Sequence, residues 1–169
     1  SQTVQRIPVG PVAAFTPWNF PANLPARKLG AALAAGCSVI IKPDEQTAAT
    51  CMAIVQCYID AGLPAGVLNM LTGRPAEISQ ALIESPVIAK VSFTGSIAVG
   101  RQLGELAARH GKRYTAELGG HAPVIVCADA DPRAVAQMSV VAKYRNAGQV
   151  CASPIRFLVH RSRYEAFRD

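Results

Sequence analysis

Short apolar runs alternate along this chain with longer helical stretches that stop at glycine, and this alternation restricts the fold more than any other feature. Residues 9–15 read as a strand. They lead into Thr16-Pro-Trp-Asn-Phe-Pro21, where proline at both flanks biases each preceding residue toward extended geometry and predicts a stiff loop. Residues 22–35 are rich in Ala and Leu and stop at Gly36, as a helix with a glycine terminus does. Residues 37–41 form a continuous apolar run of the kind buried in parallel sheets. The pattern repeats with a helix over 47–61 stopping at Gly62, a strand over 67–71, a helix over 75–84 and a strand over 88–93. A glycine-bracketed turn at 94–100 then opens a helix to about residue 110. Strands over 113–117 and 124–127 flank Leu118-Gly-Gly120, a helix over 132–146 starts at Asp131 as its N-cap, and 156–160 is a last strand. Strand–helix alternation at this spacing predicts an α/β fold, a doubly wound parallel sheet of Rossmann-like type with helices on both faces.

Composition removes several other classes. Half of the 169 residues are hydrophobic, too many for a disordered chain and enough for one compact domain with a small appendage. The most apolar stretch, residues 29–41, is broken by Gly30, Gly36 and Ser38 and ends at Lys42, short of the roughly 20 residues a membrane span needs. Lys and Arg exceed Asp and Glu by 17 to 11, giving a net charge of +6. The basic residues are scattered and aromatics make up only 6%, so the charge reads as a solvated surface with some attraction for small anions, not as a nucleic-acid footprint. Five cysteines, Cys37, Cys51, Cys57, Cys127 and Cys151, show no metal-ligand spacing and no even framework. That favours a reducing, cytoplasmic setting with no metal site. Cys37, Cys51, Cys57 and Cys127 fall in apolar patterns and are expected to be buried.

Open α/β sheets bind ligands beyond the carboxyl ends of their strands, and unusual residues follow several strands here. Gly95 to Gly100 is a GxxxxG turn suited either to a pyrophosphate at a helix N-terminus, with the Ser96 hydroxyl as a further donor, or to ordinary turn geometry. Lys42 emerges directly from a buried strand with Glu45 three residues on. The two could grip the hydroxyls of a ribose, where a carboxylate would repel a 2′-phosphate, or Glu45 could simply favour a helix start. Glu117, at the end of a strand, suits a general base or a hydrogen-bonded structural carboxylate equally. Cys151 lies in Asn146-Ala-Gly-Gln-Val-Cys-Ala-Ser-Pro154, a bend that could expose a thiol, though a lone cysteine on a bend is more often structural than catalytic. His110, His121 and His160 are too widely spaced to suggest a cluster.

Together, Thr16-Pro-Trp-Asn-Phe-Pro21, Lys42-Pro-Asp-Glu45, Phe93-Thr-Gly-Ser96 with Gly100, Glu117-Leu-Gly-Gly120 and Gly148-Gln-Val-Cys151 resemble the consecutive signatures of the NAD(P)-dependent aldehyde dehydrogenases. Five motifs in the family's order cover nearly the whole chain. The resemblance implies Cys151 as the nucleophile, Glu117 as the general base, and the Asn19 amide with the Cys151 backbone N–H as an oxyanion hole. Such donors contribute about 3–4 kcal/mol each to the transition state. It implies Lys42 and Glu45 at the adenosine ribose of NAD (or NADP), Ser96 with Gly95 and Gly100 at the pyrophosphate, and Thr16, Trp18 and Leu118 along the cofactor path.

Arg27 and Arg145 either are surface arginines on helices or match positions at which succinate-semialdehyde dehydrogenases and similar enzymes hold the far carboxylate of the substrate, as bidentate guanidinium groups do. The resemblance therefore implies oxidation of a small carboxylate-bearing aldehyde, such as succinate semialdehyde, to the acid. Some of those enzymes have a second cysteine beside the nucleophile. Here Ala152 and Ser153 follow, so a regulatory disulfide is not expected. Members of the family run about three times this length as homodimers or homotetramers. On that basis residues 1–146 are expected to be the NAD-binding domain and 147–169 the start of the catalytic domain. A piece of this kind is expected to bind NAD weakly and turn over little aldehyde by itself.

Overall fold

The structure is a computed structural model and describes residues 2–169. The chain divides into two compact units, one ending at Leu118 and the other Gly119–Asp169, where composition suggested one compact domain with a small appendage.

The first unit is a five-stranded, wholly parallel sheet. Its strands are β1 (Val12–Phe15), β2 (Val39–Lys42), β3 (Leu68–Met70), β4 (Lys90–Gly95) and β5 (Arg113–Leu118), in the order β3-β2-β1-β4-β5. The crossovers are α1 (Asn23–Ala34), α2 (Ala48–Asp60), α3 (Pro75–Glu84) and α4 (Ile97–Arg109). Side chains alternate across a strand, and β1 divides its four buried residues between two cores. Ala13 and Phe15 join Leu82 and Ile83 of α3 and Leu103 and Ala107 of α4. Ala14 faces the other way and joins Leu29 of α1 with Cys51 and Val55 of α2. Helices therefore cover both faces, as expected for a doubly wound sheet.

The glycine stops act as read. After α1 the chain turns at Gly36, whose φ is +76°, while Gly36 N–H bonds to Leu33 O and Cys37 N–H to Ala32 O. Gly62 does the same after α2 with φ +88°. One boundary differs from expectation. The turn expected over 94–100 is already helix from Ile97, because Ser96 caps it by accepting a hydrogen bond from Val99 N–H at 3.3 Å. Gly100 thus lies inside α4.

The second unit holds β6 (Pro123–Val126), α5 (Pro132–Tyr144), β7 (Arg156–Val159) and α6 (Tyr164–Arg168). Asp131 caps α5 as expected, accepting from Arg133 and Ala134 N–H. β6 and β7 pair in parallel as a sheet of their own and do not extend the larger one. Cys37 and Cys51 are buried, but Cys57 and Cys127 are exposed. Cys57 lies six residues after Cys51, which turns it off the buried stripe of α2, and Cys127 follows the buried Val126 with its side chain on the opposite side.

The double-sided core makes a stability prediction. Leu29 is fully buried, so Leu29→Ala should lose about 2–5 kcal/mol in urea denaturation. Met52→Ala, at a position 60% exposed on the next helix, should stay within about 0.5 kcal/mol of the parent. Equal losses would contradict this assignment of the core.

Candidate active site and cofactor cleft

The strand order of the first unit reverses at β1, with β2 on one side and β4 on the other. Ligand crevices of open α/β sheets form outside the carboxyl ends of the strands at such a switch point. A cleft of about 520 Å³ opens there. Its floor and rim come from the segments that leave three strands: Phe15 to Trp18 after β1, Lys42, Asp44 and Glu45 after β2, and Phe93 to Ser96 at the end of β4. The structure thus brings Thr16, Trp18, Lys42, Glu45, Gly95 and Ser96 together, although up to 80 residues separate them in the chain.

Lys42 is the last residue of β2 and is only 6% exposed. Its ammonium group emerges to donate to the Glu45 carboxylate in a hydrogen-bonded ion pair. That bond, more than any other influence, holds the Glu45 carboxyl below the ordinary carboxylate range. Asp44, not Glu45, caps the short 3-10 turn that follows, accepting from Gln46 N–H at 3.0 Å. Glu45 is left to pair with Lys42 at the rim. Thr16 is buried to 6%, and among the described residues its hydroxyl has no hydrogen-bond partner. A buried polar group in that state costs stability unless something completes it. The Ser96 oxygen accepts from Val99 N–H, which leaves the hydroxyl proton to donate.

Gly95 and Gly100 have a packing reason for being glycine. A Cβ on Gly95 would collide with the Phe93 ring, and one on Gly100 would run into the Leu118 side chain. Gly100 and Leu118 therefore meet behind the cleft wall, where they set how closely α4 lies against β4 and β5. The outer wall comes from helix faces that sequence reasoning passed over: Ala76, Ser79 and Gln80 of α3 and Val99 and Gln102 of α4. The available signal was Pro75 at a helix start after a strand, which places the first turn of α3 at the carboxyl edge of the sheet.

Asn19 lies half-buried in the loop after β1, and Glu117 is exposed near the end of β5, in register with Thr94. A further titratable group was missed. Lys28 on α1 donates to Ser92 Oγ of β4 at 2.8 Å. Burial lowers its pKa to about 8, and the negative charge of Glu117 is the strongest influence in the opposite direction. A lysine between the buried Pro25 and Leu29 on an Ala-rich helix was the available sign. Arg27, its neighbour, is exposed.

In the second unit, α5 is followed by Asn146 and Ala147 with φ near +50° and Gly148 with φ +77°, a tight left-handed passage. Ser153 N–H then bonds to Val150 O at 3.0 Å, so Cys151 occupies the first corner of a β-turn with its thiol exposed. The buried Ser153 hydroxyl donates to Lys143 O at 3.1 Å and ties this turn to the end of α5. Arg145 and the two neighbours of Cys151, Val150 and Ala152, line one groove. Among the described residues no group of three metal-ligating side chains forms, and no helix is long and apolar enough to cross a membrane.

Comparison with known proteins decides the lineage of this arrangement. Residues 1–169 match the model of the aldehyde dehydrogenase family. The chain belongs to that family. It is 59% identical over 166 residues to a 4-(hydroxymethyl)benzenesulfonate dehydrogenase of Comamonas testosteroni, covering 98% of this chain and 35% of that protein. It is 44% identical over 166 residues to the NADP-dependent succinate-semialdehyde dehydrogenase of Escherichia coli, covering 98% of this chain and 34% of that protein. The crystal structure of a succinate-semialdehyde dehydrogenase from Burkholderia pseudomallei superposes with a TM-score of 0.92 at 47% identity, covering 96% of this chain and 34% of that one. This aldehyde dehydrogenase chain thus spans about a third of the length of the curated relatives it matches.

The setting of Lys28 makes a pH prediction. Between about pH 8 and the ordinary lysine value of 10.5, the unfolded chain binds this proton and the folded one does not, so stability rises with pH across that window. Urea midpoints of the parent minus those of Lys28→Met should increase from pH 8 to 10. A flat difference would contradict the lowered pKa.

Proposed function

We propose that this chain supplies the cofactor cleft and the nucleophile of an enzyme that oxidises an aldehyde to the carboxylic acid with NAD or NADP. The observation that carries the reading is the convergence of Thr16, Trp18, Lys42, Glu45, Gly95 and Ser96 on one cleft at the switch point. A dinucleotide fits what is there. The Thr16 hydroxyl lacks a partner among the described residues, the Lys42–Glu45 pair offers a donor and an acceptor to ribose hydroxyls, and the N-terminus of α4 adds N–H groups beside the Ser96 hydroxyl. Gly95 and Gly100 let the start of α4 lie close to the sheet, and Leu118 buttresses it from behind. When bound, the nicotinamide supplies the acceptor for a hydride.

The chain's own residues do the rest. As a thiolate, Cys151 adds its sulfur to the carbonyl carbon, and the electron pair moves to oxygen as an oxyanion. The Asn19 amide and the Cys151 N–H stabilise that oxyanion. Loss of hydride leaves a thioester. Glu117 then takes a proton from water as the water attacks, and release of the acid returns the thiolate. Residues 1–146 are assigned to the cofactor domain and 147–169 to the start of the catalytic domain. The second compact unit would then contain the end of one and the beginning of the other.

The substrate class is an aldehyde with an anion at its far end, held by Arg27 and Arg145. A carboxylate-bearing semialdehyde such as succinate semialdehyde is one member, supported by the similarity to succinate-semialdehyde dehydrogenases. The 59% identity to a benzenesulfonate-type dehydrogenase supports a second member in which a sulfonate takes the place of the carboxylate.

In the intact polypeptide that carries these residues, Cys151→Ala should lower kcat on the order of 10³-fold or more. Asn19→Ala should cost roughly 10²–10³-fold. A Cys151→Ala variant with undiminished turnover would overturn the nucleophile assignment. Glu45→Gln should raise kcat/KM with NADP relative to NAD, because it removes the charge that repels a 2′-phosphate. An unchanged ratio would remove Glu45 from the ribose site.

A further inference from the structure

α4 carries two glycines, Gly100 and Gly104, on the side that also holds the buried Leu103 and Ala107. Apart from proline, glycine is the least favourable residue inside a helix, and β5 accounts for both. A Cβ on Gly100 would run into Leu118, and one on Gly104 would come within 3.1 Å of the Tyr114 ring, closer than carbon atoms rest. Tyr114 and Leu118 are four residues apart and share a face of β5, as the two glycines share a face of α4 one turn apart. The Tyr114 hydroxyl reaches past Gly104 and donates to Gly100 O at 2.6 Å. Regular helix bonding already directs Gly104 N–H at that oxygen, so the phenol is a second donor from outside the helix. Burial raises the Tyr114 pKa above the ordinary tyrosine value, so the proton it donates is retained.

Gly100 passes this hold on to the helix start. Its N–H donates to Ser96 O at 2.9 Å while its carbonyl accepts from Tyr114, so two consecutive hydrogen bonds run from β5 to the residue that caps α4. Tyr114 itself does not line the cleft. It lies four residues before Leu118, about 13 Å along a strand. Any effect it has on a ligand in the cleft must therefore pass through α4.

We propose that Tyr114 is a positioning residue for the pyrophosphate of the cofactor, holding the first turn of α4 at the height from which Ser96 and the first-turn N–H groups meet the phosphates. This rests on the reading of the switch-point cleft as a dinucleotide site. The ring in its seat against Gly104 sets the distance between helix and strand, and the hydroxyl fixes the helix along its axis. Adenine and its ribose, held by other residues of the cleft, do not depend on that height.

The test compares, in the intact polypeptide, calorimetric titrations with ADP, which carries a pyrophosphate, and with adenosine, which carries no phosphate. Tyr114→Phe keeps the ring on Gly104 and removes only the hydroxyl. It should weaken ADP about fivefold, the scale of one hydrogen bond, and adenosine less than about twofold. KM for NAD should rise by a similar factor with kcat nearly unchanged. Gly104→Ala, which displaces the ring from its seat, should show the same contrast between the two ligands. A general loss of structure would weaken both ligands alike and so does not imitate this result. Equal losses for ADP and adenosine, or ADP affinity unchanged in both variants, would overturn the proposal while leaving the dinucleotide reading intact. A parent that binds neither ADP nor NAD would overturn both.

Discussion

Ala13 and Ala14, fully buried at the centre of the larger sheet, face opposite layers of helices. Their methyl groups are small enough for α3 and α4 to close over one face of β1 and α1 and α2 over the other. Everything at the switch-point cleft depends on that arrangement. With β2 on one side of β1 and β4 on the other, the chain leaving β1 must rise between two diverging crossovers. The Thr16–Pro21 segment starts there, where the strand beneath it is held on all sides. Loops are precise only when the elements that anchor them are, and here the anchors are among the best-buried residues in the chain.

The same constraint explains the polar groups at the cleft. Lys42 is nearly buried because it is the last residue of a buried strand, and its ammonium group can stay charged only by reaching the rim, where Glu45 meets it. Thr16 is buried for the equivalent reason one strand away. A parallel sheet covered on both faces brings polar side chains to its carboxyl edge with few partners of its own to offer. Gly95 and Gly100 then bring the capped start of α4 against that edge, with Phe93 and Leu118 filling the space a side chain would have taken.

Most of this architecture was legible in the sequence because its signals are local. Gly36 and Gly62 end helices by adopting positive φ, and the continuous apolar run at 37–41 is a strand buried on both faces. Other features were illegible for physical reasons. The start of α4 differs from the reading because a pair of glycines that looks like a turn brackets the Ser96 cap that begins the helix. Cys57 and Cys127 sit in apolar surroundings in sequence, yet helix phase and strand end turn them outward. The lowered pKa of Lys28 depends on Ser92, 64 residues away, and on Glu117, a coupling no local pattern records. The separation of β6 and β7 from the larger sheet is likewise a pairing choice, and strand pattern alone does not specify partners.

The switch-point cleft of this chain is proposed as a dinucleotide site, and that proposal can be read directly. Trp18 is the chain's one tryptophan, and it is 44% exposed on the cleft's rim, so its fluorescence reports on that position alone. Titrating the chain with NAD should change Trp18 emission in a saturable curve. The apparent affinity should weaken at least tenfold in Lys42→Ala, a variant that removes the proposed ribose contact in the same cleft. Emission that does not respond to millimolar NAD, or an identical curve for the parent and Lys42→Ala, would contradict it.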